Sequence, residues 1–126
     1  MSSGSRASSK LLLVEDDDGV RATLCEALEL EGYAADCVGS CAEAEAALAR
    51  EPYALLVTDV RLPDGSGREL ADKAIAVGVN VILLSGHPDE VRGIAPGRIT
   101  GVAKPFRLDD LMQAITRQLG DPIGGG

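Results

Sequence analysis

Short apolar runs and stretches of helical periodicity alternate along the whole chain. Residues 11–14 (Leu-Leu-Leu-Val) are continuously apolar between Lys10 and Glu15, the pattern of a strand covered on both faces. Val20, Leu24, Ala27 and Leu28 then recur at helical spacing, and Gly32 ends that helix. Residues 33–38 predict a weaker second strand at a sheet edge. Ser40-Cys41-Ala42-Glu43 is a capping box opening an Ala-rich helix that stops before Pro52. Residues 54–58 predict the third strand, ending in Asp59, and Pro63-Asp64-Gly65 is turn chemistry. Ser66-Gly67-Arg68-Glu69 repeats the capping-box pattern, with Leu70, Ala74 and Val77 on the buried face behind it. Residues 79–84 predict the fourth strand, ending in Ser85-Gly86, and residues 99–103 the fifth, ending in Lys104-Pro105. Leu108, Leu111, Met112, Ile115 and Leu119 stripe a last helix, with Gly120 past its end.

Strand–helix alternation with short connections predicts one α/β domain, a doubly wound five-stranded parallel sheet with right-handed crossovers. The pattern weakens between Ser85 and Ile99. Residues 89–94 have room for a turn or two of helix, because Gly93, Pro96 and Gly97 stop a longer one. The fourth helix is therefore expected to be short or irregular. The Ser-rich residues 1–9 read as a disordered leader, residues 10–120 as the domain, and residues 121–126 as a flexible tail.

Composition narrows the function classes. A chain of 126 residues supports one core, and with Tyr33, Tyr53 and Phe106 as its aromatics that core is aliphatic. The net charge of −8, with no basic run, argues against direct nucleic-acid binding and favours a cation or a basic partner. Cys25, Cys37 and Cys41 lack a metal-ligand spacing with histidine and read as free thiols of a cytoplasmic protein. No apolar run reaches membrane-spanning length, so no membrane partner is expected.

The candidate chemistry sits at strand ends. Glu15-Asp16-Asp17-Asp18 follows the first strand directly. Like charges about 4 Å apart cost on the order of 4 kcal/mol at an intermediate effective dielectric, so a bound cation or a helix terminus must offset them. Asp17 and Asp18 suit a helix N-terminus, and the cluster as a whole reads as a site for a hard cation, Mg2+. Asp59 closes the third strand, Ser85 the fourth and Lys104 follows the fifth. The carboxyl edge of a parallel sheet is where such folds bind ligands. A metal cage, a carboxylate nucleophile, a hydroxyl and an ammonium together make a phosphoryl-transfer site.

These motifs resemble the receiver domain of bacterial two-component response regulators, over roughly residues 10–120. The residues carrying the likeness are Leu-Leu-Val-Glu-Asp-Asp (12–17), Val-Thr-Asp-Val-Arg-Leu-Pro-Asp-Gly-Ser-Gly (57–67), Leu-Leu-Ser-Gly (83–86) and Lys-Pro-Phe (104–106). The resemblance implies a flavodoxin-like fold. It implies Asp59 as phosphoacceptor, served by a sensor histidine kinase or a histidine phosphotransferase, and no turnover of substrate. Asp16 would ligate Mg2+ directly with Asp59 and the backbone carbonyl of Arg61, and Glu15 largely through water. Ser85 resembles the switch hydroxyl and Lys104 the site lysine, with its bond to Pro105 cis. Arg61 and His87 occupy positions that tune the acyl phosphate's lifetime.

The chain departs from the family pattern at Gly101, three residues before Lys104, where an aromatic usually follows the switch hydroxyl. Together with the shortened fourth helix, this resembles stand-alone receivers or those attached to hybrid kinases. Signal would then leave through residues 86–97 or through the first helix, toward an output partner the sequence does not identify. Two alternatives compete. A haloacid-dehalogenase-type phosphohydrolase would use Asp16 and Asp18 of Asp16-Asp17-Asp18-Gly19-Val20, but it leaves Asp59 without a role and needs more chain. A degenerate receiver acting as an interaction module would not need the intact acidic set.

Overall fold

The structure, a computed structural model, describes residues 10–86 and 98–119. The expected leader, the tail, Gly120, His87 and the expected fourth helix lie outside the described residues. Strands β1 (Leu11–Val14), β2 (Ala35–Val38), β3 (Leu55–Asp59), β6 (Asn80–Ser85) and β7 (Ile99–Ala103) form a parallel sheet in the order β2-β1-β3-β6-β7. Helices α1 (Asp18–Leu30), α2 (Cys41–Arg50), α3 (Gly67–Ala76) and α4 (Leu108–Leu119) accompany it. A two-stranded antiparallel hairpin, β4 (Arg61–Leu62) and β5 (Gly65–Ser66), follows β3 directly. None of these helices is long and apolar enough to cross a membrane.

The central strands β1, β3 and β6 are buried on both faces, which is why they read as largely apolar runs. Successive residues of a strand point to opposite faces. Leu12, Val14, Leu56, Val81 and Leu83 therefore pack on one side with Ala44 and Ala47 of α2 and Leu70 and Ala74 of α3. Leu11, Leu13, Val57, Ile82 and Leu84 pack on the other with Leu24 and Leu28 of α1 and Leu111 and Ile115 of α4. The small alanines of α2 let its backbone approach the sheet closely.

Helix ends follow local chemistry. Asp17 caps α1 by accepting from Val20 N at 2.9 Å, and Gly32, at φ +94°, ends it in the conformation a side chain resists. Ser40 Oγ accepts from Glu43 N at 3.2 Å, while Glu43 Oε1 reaches back to Gly39 N at 3.0 Å. At α3 the Ser66 hydroxyl accepts from Arg68 N, one position earlier than the capping-box pattern implies. Three apolar stripes outrun the core. Val20, in the first turn of α1, is 43% exposed, and Val77 is 64% exposed because it follows the last turn of α3. Leu108, the first residue of α4, is likewise exposed.

One long-range cap ties the hairpin to α2. The Asp64 carboxylate accepts from Cys41 N at 2.8 Å and Ala42 N at 3.0 Å. Those two amides hold its carboxyl below the usual range. Asp64→Ala is expected to lower Tm more than Ser40→Ala does, since it frees two helix-end N–H groups instead of one. Thermal melts of the two variants side by side check this, and an equal or smaller drop for Asp64→Ala would contradict it.

Candidate phosphoryl-transfer site

The sheet order reverses at β1. The chain steps from β1 outward to β2, then crosses back to place β3 on β1's other side. Side chains following β1 and β3 thus converge at the crevice that such a reversal opens. Glu15 is anchored there by its own backbone. Its N–H donates to Val38 O at 3.0 Å, its carbonyl accepts from Arg21 Nη1 at 2.9 Å, and its Oε2 accepts from Asp17 N at 3.0 Å. Glu15 and Asp59 are each only 4% exposed. Asp16 stands exposed at the rim. One carboxylate oxygen from each of Glu15, Asp16 and Asp59 lies within 4.8 Å of the others.

Asp59 ends β3, and the loop after it is pinned tightly. Val60 N donates to Leu84 O at 3.1 Å, and Gly67 N donates to Val60 O at 2.7 Å. The latter bond brings the start of α3 against the Asp59 backbone. A Cβ on Gly67 would stand 1.9 Å from the Asp59 carbonyl oxygen. Across the crevice Lys104 N donates to Ser85 O at 2.7 Å, joining the ends of β6 and β7. Lys104 Nζ lies 2.5 Å from Asp59 Oδ1. The contact pairs charge without hydrogen-bond alignment, so this fully buried oxygen has no aligned donor. The Lys104–Pro105 peptide is cis, as expected.

Asp59, Arg61, Ser85 and Lys104 line one cleft of about 190 Å³, with Val60, Leu84 and Gly86. Arg61 is exposed at its lip, in β4. The structure brings together every expected site residue except His87, which it does not describe. Asp17 and Asp18 belong instead to the end of α1, where Asp18 pairs with Arg21 at 2.5 Å. Asp18 is exposed and outside the carboxylate group of Glu15, Asp16 and Asp59, which counts against the phosphohydrolase alternative. Asp109 and Asp110 likewise lie in the first turn of α4. Three residues escaped the sequence reading: Gly67, Arg21 and Asp64. A glycine at the first position of a helix, where Pro or Glu is preferred, was the available sign of a close backbone approach.

Three carboxylates facing one ammonium leave the site short of positive charge. Their oxygen-only donor set and the orphaned Asp59 oxygen fit a hard divalent cation. Burial, and then the Asp59 carboxylate, push Glu15 from its ordinary 4.5 up to about 7, against the opposing Asp17 amide and Lys104. The folded state thus holds this proton more tightly than the unfolded chain. Its contribution to stability is full below 4.5 and disappears as pH rises through about 7. In metal-free solution Glu15 is expected to cost about 2 kcal/mol across that window, screening at the open rim included. Urea titrations at several pH values check this, because Glu15→Gln should flatten that part of the profile. An unchanged slope would contradict the assignment.

Residues 11–116 match the profile of the response regulator receiver domain. Over 115 residues the chain is 38% identical to the transcriptional regulatory protein PmrA of Pectobacterium parmentieri, covering 87% of this chain and 51% of PmrA. The chain thus spans about half the length of that relative. It is 34% identical to the response regulator receiver protein CpdR of Brucella abortus, covering 87% of this chain and 96% of CpdR. The response regulator protein TrrA of Thermotoga maritima, solved in complex with Mg2+-BeF, superposes with a TM-score of 0.78 at 26% identity, covering 88% of this chain and 99% of TrrA.

Proposed function

The chain belongs to the response regulator receiver domain family, and from that membership we propose that Asp59 accepts a phosphoryl group from the phosphohistidine of a sensor histidine kinase or histidine phosphotransferase. The observation that carries this reading is the buried Asp59 oxygen, orphaned of aligned donors, facing Lys104 beside two further carboxylates. An Asp59 carboxylate oxygen attacks phosphorus, the P–N bond to the donor imidazole breaks, and the imidazole nitrogen takes up a proton. Lys104 neutralises charge on the transferred group, and the Ser85 hydroxyl donates to one of its oxygens. Asp16, Asp59 and the Arg61 carbonyl would hold Mg2+, with Glu15 acting largely through water. Bound there, the ion neutralises the equatorial oxygens and the clustered carboxylates.

Arg61, at the cleft lip, and His87 tune access of water to the acyl phosphate. Ala at either position is expected to change the dephosphorylation rate more than the stability. Gly101, exposed on edge strand β7, has no side chain to follow Ser85. Output therefore runs through another surface, to a partner other than nucleic acid. The acidic charge and free thiols suit the cytoplasm.

The test is incubation with a phosphorylated histidine donor and Mg2+, followed by intact-mass measurement and assay of p-nitrophenyl phosphate. A single acid-stable, base-labile phosphoryl group with no turnover supports the reading. Steady turnover abolished by Asp16→Asn would establish the phosphohydrolase instead. Failure to bind both Mg2+ and beryllofluoride would mark a degenerate receiver.

A further inference from the structure

Helix α1 and edge strand β2 lie against one another, and each carries a free cysteine, Cys25 and Cys37. Both are half-buried, and they are neighbours where α1 packs on β2. Cys37 packs against the core shared by α1 and α4. Cys41 is buried in the core on the opposite face of the sheet, so the sheet itself separates it from this pair. Cys25 lies one helical turn beyond Arg21. The Arg21 guanidinium holds the Glu15 carbonyl and stands 2.9 Å from where a Cβ on Gly39 would be. The thiol pair is thus next to the contacts that fasten α1 and β2 around the start of the acidic loop.

We propose that Cys25 and Cys37 form a redox modification site, joined by a small-molecule disulfide oxidant into a reversible intramolecular disulfide that pins α1 to β2. The Cys25 sulfur attacks one sulfur of the oxidant, losing its proton to solvent and expelling one small thiolate. Cys37 is the resolving thiol, since burial and its neighbour hold it protonated until that point. Its sulfur then attacks Cys25, the protein S–S bond forms, and the second small thiolate leaves with the Cys37 proton. Two protein thiols are oxidised and one small disulfide is reduced to two thiols. The two thiols, neighbours where α1 packs on β2, must close to a bond of about 2.05 Å. None of this depends on phosphoryl chemistry at Asp59.

The experiment equilibrates the full chain in graded mixtures of reduced and oxidised glutathione, alkylates it, and maps peptides without reduction. The expected product is a single cross-linked peptide pair joining Cys25 to Cys37, in a monomeric chain, lost on return to reduced glutathione, with Cys41 still alkylated. Cys41→Ser keeps the cross-link, whereas Cys25→Ser and Cys37→Ser each abolish it. Alkylation of both Cys25 and Cys37 at every ratio overturns the proposal. So does a mixed disulfide that never resolves, or a cross-link that passes through Cys41 or between chains.

Discussion

Asp59→Asn takes up no phosphoryl group from acetyl phosphate or from a phosphohistidine donor under conditions that fully label the unsubstituted chain. The amide is close to isosteric with the carboxylate, so β3 and the loop pinned by Val60 and Gly67 keep their backbone bonds. It has no anionic oxygen to attack phosphorus, and the ion pair of Asp59 with Lys104 is lost. Asp16 is exposed at the rim, and Glu15 is turned toward the Asp17 amide. Removing one of three clustered charges also weakens divalent-cation binding, by about tenfold if the lost interaction is near 1.4 kcal/mol. Intact-mass spectrometry reads the first effect and calorimetric Mg2+ titration the second. Residual labelling of the variant at the original rate would move the acceptor to another residue.

Gly67→Ala gives a large loss of stability for a single added methyl group. The added carbon would stand 1.9 Å from the Asp59 carbonyl oxygen and 3.1 Å from the Val60 Cα, both backbone atoms. No rotamer change relieves that overlap, so α3 must withdraw from the acceptor loop and stretch the 2.7 Å Gly67–Val60 hydrogen bond. Overpacking of this kind costs about 3 kcal/mol. It also displaces Asp59 from Lys104, so the labelling rate falls together with the stability. Urea unfolding with parallel acetyl-phosphate labelling tests both. A loss below about 0.5 kcal/mol, the range of neutral surface changes, would show that the two backbones are not in contact.

Strand bounds were legible to within a residue or so wherever both faces of the sheet are buried. Leu11–Val14 coincides with its apolar run, and the third strand runs one residue further, through Asp59. Helix starts were legible because caps are local: Asp17, Ser40 and Ser66 all accept from amides two or three residues on. The same locality explains the misses. Val77 fits a helical stripe by spacing, yet it is exposed, because spacing carries no information on where α3 stops covering the sheet. The second capping box was right in its cap residue and one position off in its partner, since the ring of amides at a helix start offers two near-equivalent donors. The residues that line the cleft were legible as strand-end residues, because each closes or follows a strand of the sheet.

The sequence by itself determined which side chains stand at the carboxyl ends of the strands, since apolar runs that must be buried on both faces fix where each strand stops. It likewise determined that Glu15, Asp16, Asp59, Ser85 and Lys104 share one edge, because strands joined by helical crossovers run parallel. Only the tertiary structure decided which of those ends are neighbours. The order β2-β1-β3-β6-β7 sets Glu15 beside Asp59 and brings Lys104 to its buried oxygen. It also decided the contacts of Gly67 with Asp59, Asp64 with α2, and Cys25 with Cys37. In each of these, packing of whole elements on a twisted sheet, and no local propensity, sets the distance.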